Sequence, residues 1–242
     1  MTHIAVLVSL LLLALPAFAQ VDCNEGLEPI DRDASSQMSA LEFTHAIATR
    51  EATLAKAFTT FGYRVEVSVQ TLQGDAVDGD FHQASDVGFD NIGTRRSKPV
   101  EPPVNTLSRL QLSAKDIDAF VMAPPFALTS DVMAEKDVVY SGRQRMADHN
   151  PSVFDLLPRN DQAPLRGFVG RVWVRALRGG VLRTCGRAAA YPIGPMRYEI
   201  RREQVGEDNW FPVLIRADED VRPDDNPVHV RVTVKYSSYK AR

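Results

Sequence analysis

Between Leu41 and Phe61, apolar side chains recur at Phe43, Ile47, Leu54, Phe58 and Phe61, at spacings of 4, 7, 4 and 3, with Arg50-Glu51 interrupting the stripe. That is the period of an amphipathic helix, so the pattern predicts one long helix with a buried face. Ser39 stands where an N-cap belongs, and Glu42, three residues on, completes a capping box. After Gly62 the period changes to 2: Tyr63, Val65, Val67 and Val69 alternate with Arg64, Glu66, Ser68 and Gln70, as in a half-buried antiparallel strand. Similar runs span Asp80–Asp90, Val138–Met146, Val153–Leu157, Gly167–Leu177, Val181–Ala189, Met196–Val205, Trp210–Asp218 and Val228–Tyr239. Turn residues such as Arg178-Gly179-Gly180 and Gly206-Glu207-Asp208-Asn209 separate several of them, which predicts consecutive hairpins and a meander. Nine or more such strands curl as twist accumulates, leaving an apolar concave side to be filled.

Between the early and late strands, Ser97–Asp137 opens with the proline-rich Lys98–Pro103. It continues as a short helix from the N-cap Ser113 to about Val121, ended by Pro124-Pro125. This insert reads as a lid or plug over the sheet. No composition shift marks a second domain.

Composition narrows the function classes. The 242 residues carry 28 Lys plus Arg against 31 Asp plus Glu, a net charge of −3, which gives no phosphate-tracking surface for nucleic acid. The apolar run Ile4–Leu15, followed by Ala17-Phe18-Ala19, reads as a secretory signal cleaved after Ala19. Residues 1–19 are then the signal peptide and 20–242 a single domain. No later stretch is long and apolar enough to span a bilayer, so no transmembrane segment is expected in the mature chain.

Only Cys23 and Cys185 are present, and an even count in an exported chain suggests a disulfide, with two free thiols as the alternative. Metal binding is not expected, because no His lies at ligand spacing from either Cys. The common enzyme signatures are absent: no nucleophile elbow, zinc-protease helix, phosphate loop or dinucleotide fingerprint occurs. The reading is therefore of a non-enzyme without cofactor. His229 is expected on a solvated face, since Val228 and Val230 hold the other. Asp218-Glu219-Asp220 and Asp224-Asp225 are expected to be solvated turns rather than calcium ligands.

In Gly167–Leu177, Phe168, Val172 and Val174 share one face while Arg171, Trp173 and Arg175 share the other. Trp173 is then covered by the stems of its two arginine neighbours, and both Trp173 and Trp210 are expected to be structural. The apolar face is either packed core or pocket wall, which alternation does not tell apart.

In pattern the chain resembles the LolA-like superfamily of periplasmic lipoprotein carriers, in the branch of outer-membrane lipoprotein-sorting proteins. The residues that carry the likeness are Tyr63–Val69, Thr106-Leu107 with Leu112–Ile117, Pro125–Asp131, Tyr140–Arg143, Phe168–Val174, Asn209–Pro212 with Ala217-Asp218, and Val232–Lys240. The resemblance implies an α+β protein, mainly β: an incomplete, strongly curved antiparallel β-barrel, with a long N-terminal helix and a short helical insert plugging its concave side. It also implies an apolar cavity for acyl chains. The wall expected for it is Phe43, Ile47, Leu54 and Phe58 on the helix, opposite Val65, Val67, Phe168, Val172 and Val174. The expected partner is a lipid or lipidated protein, bound by a monomeric periplasmic carrier. The alternatives are a sensor of the same fold that binds an envelope protein and, third, an envelope-lipid hydrolase.

Overall fold

The computed structural model describes residues 21–36, 38–122, 128–159, 167–175, 180–188, 193–194, 196–207, 209–222 and 226–242. The signal segment and its cleavage site, Pro124-Pro125, the first three residues of Pro125–Asp131, Arg178-Gly179 and Asp224-Asp225 lie outside the described residues.

The helix α1 runs Ala40–Phe58. Ser39 caps it as the pattern predicts: the Glu42 amide donates to Ser39 Oγ at 3.2 Å and the Ser39 amide to Glu42 Oε2 at 2.8 Å. Those bonds hold the Glu42 carboxyl below the usual range. The helix ends earlier than its stripe suggests. Phe61, expected on the helix, opens strand β1 (Phe61–Gln73), which pairs with β2 (Ala76–Phe89).

The proline-rich stretch corrects the lid reading. Arg95–Pro99 (β3) and Val104–Asn105 (β4) both pair with β2 and extend the sheet edge, because prolines are tolerated on an edge strand whose outward groups face solvent. The helical part does act as a plug. In α2 (Ala114–Met122), Phe120 and Val121 are buried, and the Tyr63 hydroxyl donates to the Val121 carbonyl at 2.8 Å. A further short helix, α3 (Ser130–Ala134), was not expected.

From there the chain is the predicted run of hairpins: β5 (Lys136–Arg143), β6 (Ser152–Pro158), β7 (Phe168–Val174), β8 (Val181–Ala188), β9 (Arg197–Val205), β10 (Asn209–Val221) and β11 (Val228–Ala241). The sheet has 11 strands in the order β3-β2-β1-β11-β10-β9-β8-β7-β6-β5, with β4 also on β2. The meander is therefore not continuous, since β1 pairs with β11 rather than with a sequence neighbour other than β2. The result is an open, curved antiparallel sheet, not a closed barrel, with α1 on its concave side.

The segment from Val21 onward crosses the outer face, where Val21, Cys23, Leu27 and Ile30 pack on Val153, Trp173 and Cys185. Cys23 and Cys185 form a disulfide with Cα atoms 5.6 Å apart. At the far end of this segment, Asp31 bridges to Arg143 through paired backbone bonds of 2.7 and 2.9 Å. Gly142, at φ +127°, permits that approach, because a Cβ there would strike the Asp31 carbonyl and the Ile30 side chain.

Candidate functional site

Alternation along β7 and β8 sends one set of side chains toward α1 and the other outward. All nine residues expected in the cavity wall are on the concave side at 3% exposure or less, but they do not form a single wall. Phe43 and Ile47 meet Phe168, Val172 and Val174 in one cluster, together with Phe154 and Met133. Leu54 and Phe58 meet Val65 and Val67 in a second cluster, with Phe120, Phe211 and Tyr236. Phe43 stacks on Phe154 with ring centroids 3.9 Å apart.

Phe58 is enclosed by rings, with Tyr63 at 4.9 Å and Phe211 at 5.5 Å. The Arg95 guanidinium lies 5.0 Å from both the Phe58 and Tyr63 rings. Burial pushes the Tyr63 hydroxyl up to about 12, against the opposing pull of Arg95. It therefore stays protonated at neutral pH and available as a donor to Val121.

What separates the two clusters is charged. Glu51, one turn after Ile47 and three residues before Leu54, points into the sheet and is met by Arg202 of β9. The two bonds are Nη1 to Oε1 at 2.6 Å and Nη2 to Oε2 at 2.8 Å. Each side chain is 1% exposed. Sequence reasoning took Glu51 as a mere interruption of the stripe. The signal that could have found it is positional: a carboxylate on the apolar face of a helix needs a buried partner.

On the outer face the structure corrects three expectations. Trp173 is fully buried, but its cover is not Arg171 and Arg175: its Nε1 donates to Gln144 Oε1 at 2.7 Å, and the Arg183 guanidinium lies 5.1 Å from its ring. Arg171 instead binds Asp155, and Arg175 lies over Trp210 at 5.8 Å. His229 is not solvated. Its side chain is 6% exposed, with Nδ1 2.8 Å from Asp220 and Nε2 2.5 Å from Asp218. Asp218-Glu219-Asp220 is likewise no turn but part of β10, with Glu219 accepting the Arg197 amide at 2.8 Å. A Val-His-Val alternation places a side chain on a face, but whether that face is covered depends on the neighbouring strand.

No family model and no curated protein matches the chain. Solved structures do. It is similar to a DUF1329 family protein from Desulfovibrio piger at 14% identity and a TM-score of 0.40, over 85% of this chain and 94% of that one. A LolA superfamily protein from Nitrosomonas europaea matches at 13% identity and 0.35, over 81% of this chain and 94% of that one. An outer membrane lipoprotein-sorting protein domain from Vibrio parahaemolyticus matches at 11% and 0.40, over 84% and 94%. The likeness is one of fold.

Among the described residues no group of three or more His, Cys, Asp or Glu could hold a metal ion, and no helix is long and apolar enough to cross a membrane. Among the described residues, the concave side presents apolar surface under a helix, with the Glu51–Arg202 pair between its two clusters.

Proposed function

We propose that the protein is a non-catalytic periplasmic carrier, and that its concave side takes a lipid or the acylated end of a lipoprotein between α1 and the sheet. In this reading the chain is exported, cleaved after Ala19, and works as one domain of residues 20–242 in a compartment oxidising enough to keep Cys23–Cys185 joined. The observation that carries the proposal is that α1 lies across both apolar clusters, joined by α2 at one and α3 at the other, while the buried Glu51–Arg202 pair holds its middle to the sheet.

An acyl chain that replaces the helix stripe against the sheet recovers about 0.8 kcal/mol per methylene. Parting a buried ion pair costs about 3–5 kcal/mol, so roughly five methylenes offset it. A longer chain leaves a surplus for affinity, and a helix that returns to its pair provides release.

The test is titration of a fluorescent fatty-acyl probe into the intact protein. Saturable binding is expected, with faster amide exchange along Ala40–Phe58 when the probe is bound. In Leu54→Arg the new guanidinium reaches solvent only where the helix lifts, so this variant is expected to stay folded and lose the probe. A wild type that binds no probe, together with a Leu54→Arg chain that does not fold, identifies the concave side as dry core and overturns the proposal.

A further inference from the structure

The outer face carries a second feature, which does not depend on acyl-chain binding. Cross-strand register places Arg171, Cys185, Glu199 and Arg216 in one row over β7 to β10, with Trp173, Arg183 and Arg201 in the next. Glu199 is fully buried and serves three guanidinium groups: Arg183 Nε at 2.8 Å, Arg201 Nε at 2.6 Å, and Arg216 Nε. Arg216 also reaches Glu25 of the N-terminal segment.

Arg183 is the member of this group left incomplete. Its side chain is 2% exposed, and its Nη2 is buried with no hydrogen-bond partner. A buried donor without an acceptor carries a desolvation cost that natural structures rarely leave standing. Burial, with Arg201 and Arg216 close by, also makes its charged form harder to hold than usual.

Arg183 lines a cavity of about 730 Å³ together with Arg175, Arg201, Leu182, Trp210 and Glu203. Counting the charges in and directly behind the wall gives five arginines (175, 183, 201, 202 and 216) against four glutamates (25, 51, 199 and 203), an excess of one positive charge. The rest of the wall is not a bare ion's environment. Trp210 and Leu182 offer apolar surface, and Arg175 holds the indole from its face at 5.8 Å. The space is many times larger than an inorganic anion requires.

From the orphaned Nη2, the single excess positive charge and the apolar remainder, we propose that this outer cavity binds a singly charged phosphate ester, with its oxygen on Arg183 and Arg201 and its organic body against Trp210. A bidentate-capable, permanently charged guanidinium is the side chain suited to such a group. Two sources share this chemistry, a phospholipid headgroup and a soluble phosphate ester.

Calorimetry at low ionic strength separates them, using monomeric dihexanoyl phosphatidylglycerol and its deacylated, likewise singly charged diester glycerophosphoglycerol as probes on the intact protein. At least one is expected to bind saturably, with affinity falling as salt rises. Arg201→Gln should weaken it about tenfold and Arg183→Met should remove it, while Arg64→Gln, at the other end of the sheet, changes nothing. Binding of the lipid alone assigns the headgroup, and equal binding of both assigns the soluble ester. If Arg183→Met does not fold, Arg201→Gln and Arg175→Gln, both on side chains that reach solvent, carry the test. Neither probe binding, or binding indifferent to these arginines, overturns the proposal. Lipid taken up only on the concave side would show that indifference, so the two sites are told apart.

Discussion

The two faces of the sheet are covered in opposite ways. On the concave side the cover is helical and noncovalent: α1 lies on two apolar clusters and is pinned by Glu51–Arg202. On the outer side the cover is an extended segment, fastened at one end by Cys23–Cys185 and at the other by the Asp31–Arg143 bridge, over a field of arginines and carboxylates. A helix whose face is mainly apolar can be exchanged for another apolar body of similar shape. A strap held by a covalent bond and by directional hydrogen bonds cannot. On the proposed carrier reading, the difference marks the concave face as the one that opens.

Three perturbations sharpen the contrast. The largest effect is expected from Glu51→Ala, which leaves Arg202 buried and unpaired and should cost about 3–5 kcal/mol in urea denaturation. The double variant Glu51→Leu/Arg202→Met is expected to regain most of this or exceed the wild type, since an apolar pair of similar volume carries no desolvation cost. If the double variant stays as weak as the single one, the ion pair does more than pin the helix. Next comes removal of the disulfide by Cys23→Ser/Cys185→Ser. Over its separation of 162 residues, this should cost roughly 2–4 kcal/mol. Amide exchange should rise in the N-terminal segment and leave α1 protected; equal loosening of both would break the comparison.

The smallest effect concerns acid. Burial opposes ionisation of Asp155, but bonds from Arg171 and from Ser141 at 2.5 Å outweigh it and hold the carboxyl below the usual aspartate range. A folded-state pKa below the unfolded one gives stability that is present above about pH 4 and lost as pH falls through the folded value. Asp155→Asn is therefore expected to flatten the acid limb of a stability profile without shifting its neutral plateau by more than that pair's own contribution.

Much of this architecture was legible in the pattern of residues. Period 3.6 located α1 and its box of Ser39 and Glu42, and period 2 located the nine long strands to within a few residues. The cysteine pairing followed from count and context. What stayed hidden depends on long-range geometry. Arg95–Pro99 is a polar edge strand, and only the β2 edge beside it makes it one. His229 alternates like a solvated residue and is buried by Asp218 and Asp220 on the neighbouring strand. On the concave side, the stripe picked out the helix face and the strand faces that the structure buries against one another. It missed that Glu51 divides them, because a single charged residue in an apolar run looks like noise until its partner, 151 positions away, is known.

The pairing of β1 with β11 has a consequence for the order in which the molecule can form. Phe61 stands opposite Ala241, so the seam at the middle of the sheet joins segments nearly the whole domain apart. The hairpins from β5 to β10 are local and can assemble quickly, whereas a contact between distant segments must first meet the entropy of closing a long loop. Until β11 arrives, the cluster around Phe58 lacks Val230, Val232 and Val234, and α1 has only half a surface to lie on. A chain delivered N-terminus first thus carries the Leu54 and Phe58 end of its helix incompletely covered until its last strand follows, and only then completes its core.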